Sequence, residues 1–177
     1  PWTLDGLAYQ EGAVFVEDQG TPDPADNRSL KLGDDTPLIW WLRDNVQGSP
    51  VIVEGVGNLY HWSGRISVNT GLPAVIGWDW HQVQQRWDYA ALVEQRRGET
   101  ARFYRDSDTI AAAQFLQKYN VRYVIVGGTE RATGTTAGVQ RLKKMEALTV
   151  AFQHGDDVIY SVDQAKLNAM LSATAVR

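Results

Sequence analysis

At 177 residues and a net charge of −4, the chain is sized for one domain, and its charge argues against a nucleic-acid partner, which usually needs a basic face. The absence of cysteine excludes disulfides, thiolate zinc sites and cysteine nucleophiles. Its composition, 44% hydrophobic and 21% charged, is that of a globular protein, and no apolar run approaches the roughly 20 residues of a membrane span.

Residues 1–33 form an irregular N-terminal part. It holds one strand-like run, Ala13 to Glu17, and then a loop marked by Pro22 and Pro24. Asp34 and Asp35 before Pro37 predict a capped helix start, with proline in the first turn. Leu38, Ile39, Leu42 and Val46 follow at helical spacing, and Gly48 ends the run. Pro50 to Glu54 is a short apolar stretch bounded by turn residues, the mark of a buried strand.

From Gly55 to Gly77 the chain is rich in glycine and lacks periodicity, which predicts a long structured loop; loops of more than about 15 residues in compact domains usually carry function. Trp80, Val83, Trp87, Ala91 and Val93 predict a helix over residues 79–97. Asp106 or Ser107 caps a further helix reaching Tyr119, and Val121 to Val126, rich in β-branched residues, is the strongest strand in the chain. Val139, Leu142 and Met145 mark a short amphipathic helix. Residues 148–153 and 157–162 flank His154-Gly155-Asp156-Asp157 as a β-hairpin, and a helical tail covers 164–177.

These elements predict a single α/β domain over residues 1–177, with a mixed sheet flanked by helices, a long glycine-rich loop and a C-terminal β-hairpin. Pro1 in place of an initiating methionine suggests a segment of a longer polypeptide.

Generic chemical motifs are sparse. Gly55-Val56-Gly57 opens like a dinucleotide fingerprint, but Tyr60 stands where the third glycine belongs. Asp106-Ser107-Asp108 matches the acidic pair that holds a metal in many nucleotide-sugar enzymes, yet its place at a helix start favours capping. His61, His81 and His154 show no metal-ligand spacing, and no Gly-x-Ser-x-Gly elbow is present. Arg96-Arg97 and Lys143-Lys144 read as solvated helix faces. No metal and no cofactor is expected. Seven Trp and seven Tyr beside two Met and four Phe is an unusual aromatic balance. Each joins an apolar body to a polar tip, which suits a wet groove, a membrane interface or a tryptophan-built core.

The run Ile39-Trp40-Trp41-Leu42-Arg43-Asp44-Asn45 leads into Gly48-Ser49-Pro50-Val51-Ile52-Val53-Glu54. Tyr60, Arg65-Ile66-Ser67, Thr70-Gly71-Leu72-Pro73, Gly77-Trp78 and His81 follow. Together they resemble the "YYY" multi-pass membrane proteins of bacteria and archaea, a family of unknown function placed with the GT-C glycosyltransferase-like superfamily. The resemblance runs from about Thr3 to about Tyr160 and takes in Tyr119 to Val126 and Glu130-Arg131. It departs from the family pattern at His81-Gln82-Val83-Gln84-Gln85-Arg86, where Gln82 replaces a glutamate. That change removes the carboxylate an acid or base role would need at this position. A looser likeness links the segment to oligosaccharyltransferase catalytic subunits, whose WWDYG motif is replaced here by Glu54-Gly55-Val56-Gly57.

The resemblance implies an accessory, acceptor-binding domain of a membrane glycosyltransferase that uses polyprenyl-linked sugars. It places the domain outside the cytoplasm, with the transmembrane half of the same polypeptide as partner, a glycan or lipid-linked sugar as ligand, and the catalytic carboxylates elsewhere. The alternative is a non-catalytic carbohydrate- or protein-binding module. Candidate ligand-binding residues are Glu54, Tyr60, Arg65, Ser67, Thr70, Trp78, His81 and Arg86. Glu54 and Arg65 either contact ligand directly or form an ion pair that pins the glycine-rich loop, with Trp78 as its anchor.

Overall fold

A computed structural model describes residues 6–17, 28–57 and 62–175. Its centre is a four-stranded mixed sheet in the order β3-β4-β6-β5, built from β3 (Val51–Val53), β4 (Val121–Val126), β5 (Leu148–His154) and β6 (Asp157–Val162). β3 and β4 run parallel; β6 pairs antiparallel with both β4 and β5. A separate antiparallel ribbon pairs β1 (Val14–Glu17) with β2 (Arg28–Lys31), a strand the sequence did not suggest; the loop expected at Pro22 and Pro24 lies outside the described residues.

The alternation of β4 builds both faces of the sheet. Val124 and Val126 point to one core, with Phe103, Tyr104, Leu116, Leu142 and Leu167. Ile125 points to the other, with Leu38, Ile39, Leu42 and Ile66. The first core is supplied by α4 (Ala90–Arg105), α5 (Thr109–Lys118), α7 (Thr136–Leu142) and α8 (Gln164–Ala175); the second by α1 (Thr36–Asn45) and α2 (Arg65–Thr70). Burial on both sides explains why β4 is almost continuously apolar. The expected α/β architecture, with its mixed sheet and terminal hairpin, is present.

Several local expectations change. Asp35 stands at the start of α1 but makes no side-chain capping bond; its carboxylate turns to Arg65 instead. Pro37 does sit in the first turn. The cap of α5 is Asp108, which accepts from the N–H groups of Ile110 and Ala111, and not Asp106 or Ser107. The helix expected over 79–97 is two helices. The first, α3 (Asp79–Gln85), is followed by a 3₁₀ turn at Trp87–Tyr89 and then by α4. Within the 55–77 loop lies α2, between Gly64 and Gly71, both left-handed at φ 71° and 76°. The loop also returns to the sheet, where Ile52 N–H donates to Pro73 O and Val75 N–H donates to Ile52 O. A short helix, α6 (Gly128–Thr133), follows β4 directly. Among the described residues no helix is long and apolar enough to cross a membrane.

Candidate functional site

The carboxyl ends of β3 and β4 lie side by side, the position where open α/β sheets gather functional groups. Four residues meet there from four segments. Glu54 continues β3, Arg65 opens α2, Glu130 lies in the first turn of α6, and Asp35 precedes α1.

Arg65 is 2% exposed, with no side-chain surface reaching solvent. Its Nη1 and Nη2 donate to the two oxygens of Glu130 at 3.0 and 2.9 Å, a bidentate fork. Its Nε donates to Asp35 Oδ2 at 2.7 Å, and Nη1 lies 3.5 Å from Glu54 Oε2. Glu130 also accepts from Gly55 N–H at 2.6 Å and Gly127 N–H at 2.7 Å, so one carboxylate ties the end of β3 to the end of β4.

The N-cap position of α2 is Gly64, which has no side chain to offer. Glu54 takes over the task from the strand, accepting from Ile66 N–H and Ser67 N–H at 2.9 Å each. Where the strands end, the Tyr104 hydroxyl lies 3.0 Å from Val53 O and 2.8 Å from Ile125 O and donates to one at a time.

Three carboxylates share one guanidinium in a volume closed to water. Burial pushes the Glu54 carboxyl up to about 7, against the opposing pull of Arg65 and the two backbone donors. The Glu130 carboxyl is held below its usual value; burial works to raise it, but Arg65 and four hydrogen bonds outweigh that. The carboxylates of Asp35 and Glu130 keep Arg65 charged despite its burial. Asp35 Oδ1 lies buried without a hydrogen-bond partner, while Trp62 Nε1 donates to Oδ2 at 3.2 Å.

The remaining sequence candidates fall into two groups. Ser67 and Thr70 serve the backbone: Ser67 Oγ donates to Leu72 O, and Thr70 Oγ1 donates to Ile66 O and accepts from Leu72 N–H. Trp78, His81 and Arg86 lie outside the buried cluster, on and beside α3. Trp78 Nε1 donates to Ser63 O at 2.6 Å, and its ring stacks at a tilt on His81 with centroids 5.4 Å apart. Trp78 and Trp80 are 46% and 41% exposed, and Arg86 is exposed at the end of α3. An ion pair of 2.7 Å between Asp79 and Arg97 fastens α3 to α4. Tyr60, like His61, lies outside the described residues.

The structure therefore joins Glu54 to Arg65 and separates both from the Trp78–Arg86 ledge. Sequence reasoning missed Glu130 and the role of Asp35. Glu130 had a local signal, since a glutamate at the third helical position after Gly127-Gly128 predicts a bond back to the N-cap N–H. Its bond to Arg65 had none.

No protein-family model, curated protein or solved structure matches the chain.

Proposed function

We propose that this chain is an accessory, acceptor-binding domain of a GT-C-like membrane glycosyltransferase, extracytoplasmic and packed against the transmembrane half of its own polypeptide. In this reading the buried Arg65 cluster is scaffold, and the exposed ledge of α3 contacts the glycan.

The observation that carries the reading is the separation of ionisable chemistry from exposed aromatic surface. Glu54, Arg65 and Glu130 spend their bonding capacity on one another and on backbone N–H groups, with no side-chain surface left to meet a substrate. Trp78 and Trp80 instead stay partly open to solvent, at 46% and 41% exposed. Trp78 is held in place by Ser63 O and His81. Rigid aromatic faces bind sugar rings through apolar contact at little entropic cost. The resemblance supplies the parent reaction, and Gln82, in place of the family's glutamate, fits binding better than proton transfer.

The test is ligand-observed NMR of the chain with monosaccharides and short glycans, repeated on Trp80→Ala. Saturation transfer to a sugar that vanishes in the variant, with an unchanged circular dichroism spectrum, supports the reading. Absence of any transfer at millimolar sugar, or transfer undiminished by the substitution, overturns it.

A further inference from the structure

Along α3, the turn that follows it and the first turns of α4 runs a half-open cavity of about 390 Å³ lined by Gln82, Arg86, Tyr89, Leu92, Val93 and Arg96. Two of these six side chains are cationic and none is acidic, in a chain whose net charge is −4. Neither arginine forms an ion pair with a carboxylate among the described residues, whereas the adjacent Arg97 pairs with Asp79 and Glu94.

The donors of Arg96 are under-used. A guanidinium carries five N–H donors. Here Nη1 makes one long bond to Val75 O at 3.5 Å, and Nε is buried with no acceptor. The Tyr119 ring lies 5.6 Å beneath the guanidinium carbon, which orients the plane without accepting its hydrogens. Such a half-buried donor deficit is relieved by an oxyanion.

A carboxylate, with two oxygens, is satisfied by a single guanidinium fork. Two guanidinia at one cavity suit the three terminal oxygens of a phosphate monoester. On the rim, Tyr89 is 60% and Leu92 42% exposed, giving an aromatic and an aliphatic wall to the body that bears the phosphate. The volume lies in the lower part of the roughly 300–1,000 Å³ range of small-molecule sites.

We infer that the Arg86–Arg96 cavity binds a phosphate monoester, with Tyr89 and Leu92 covering the sugar or lipid group attached to it. This deepens the proposed glycan contact and rests on that reading, because the cavity adjoins the same helix as Trp80. Arg96 grips the anion from the inner wall and Arg86 closes over it from the exposed end of α3.

The experiment is an NMR titration of the whole chain at low salt with glucose 1-phosphate and with glucose, alongside sedimentation with phosphatidylcholine vesicles containing phosphatidic acid. Glucose 1-phosphate should shift the Tyr89 and arginine side-chain signals. Arg86→Gln and Arg96→Gln should each weaken it about tenfold or more. Added salt should weaken it further. Equal affinity in the glutamine variants, or no binding of either phosphate compound, overturns the phosphate site. Glucose bound as tightly as its phosphate, and lost in Trp80→Ala, also overturns it but leaves the glycan ledge standing. Glucose 1-phosphate bound with no response to any neutral sugar keeps the phosphate site and removes the ledge. Cosedimentation that Arg96→Gln abolishes assigns the phosphate to a lipid headgroup; binding of the soluble ester alone assigns it to a free one.

Discussion

Replacing Arg65 by Met keeps a side chain of similar length and removes the charge at the centre of the buried cluster. Glu130 then loses both arms of its fork, Asp35 loses its 2.7 Å donor, and Glu54 loses its nearest positive charge. Breaking a buried ion pair from one side costs about 3–5 kcal/mol, because the abandoned charge stays buried. In a chain of this size each kcal/mol moves the melting temperature by about 2–4 °C, so the fall should be on the order of 10 °C at pH 8. At pH 5 the loss should be smaller, since orphaned carboxyl groups can take up protons. The double variant Arg65→Met/Glu130→Gln should be more stable than the sum of its single effects allows, because the second change removes a charge the first left unpaired. Differential scanning calorimetry of the four proteins at both pH values measures all three quantities. A single-variant shift under about 2 °C, a loss that does not vary with pH, or strict additivity would refute the account of Arg65 as the hub.

Two further outcomes follow from the same geometry. Glu54, raised from 4.5 to about 7 by burial, binds its proton more tightly folded than unfolded, so stability should fall by about 3 kcal/mol as pH rises from 4.5 to 7. Glu130, held low, works the other way: it stabilises above 4.5, and that contribution is lost as pH falls through its folded value. Urea denaturation at stepped pH should therefore find the maximum below neutrality, and Glu54→Gln should flatten the upper slope; wild-type stability that rises from pH 5 to 7 would contradict this. At Gly127 a methyl group would meet Arg65 Nη2 at 2.9 Å, Asp35 Oδ1 at 3.1 Å and Glu130 Oε2 at 3.3 Å, whereas at Gly128 it would meet nothing within 4 Å. Gly127→Ala should cost about 1–3 kcal/mol and Gly128→Ala less than about 0.5, and equal effects in chemical denaturation would show the cluster to be loosely packed.

What the sequence reveals depends on whether a residue's partner is local. β4 and the terminal hairpin are legible because alternation, β-branched runs and turn residues act within a few positions. Pairing of Glu54 with Arg65 is open to inference because Glu54 ends the strand that leads directly into the glycine-rich segment holding Arg65. Asp35 is misread for a physical reason: a carboxylate beside a helix start has a local use as a cap, and a buried guanidinium outbids it. The 79–97 stretch misleads in another way. Trp80 and Val83 keep helical spacing, but α3 buries no residue, so the period there does not mark a core stripe. Arg86 is among the residues the sequence singles out, but the cavity it shares with Arg96 is not legible there, because it depends on how the chain turns between two helices.

The sheet order β3-β4-β6-β5 also bears on how the chain comes together as it is made. β3 emerges well before its strand neighbour β4, which follows only after the whole of α2 to α5, and Arg65 waits 65 residues for Glu130. Until then the N-terminal half holds a strand without its sheet partner and a guanidinium without its main acceptor. The closing step must join distant segments before it gains their contacts, which makes it slow compared with helix formation. A ribosome paused before residue 121 would carry a half-domain that lacks the strand completing its sheet, so cleavage between β3 and β4 should yield two fragments that gain their full structure only when mixed.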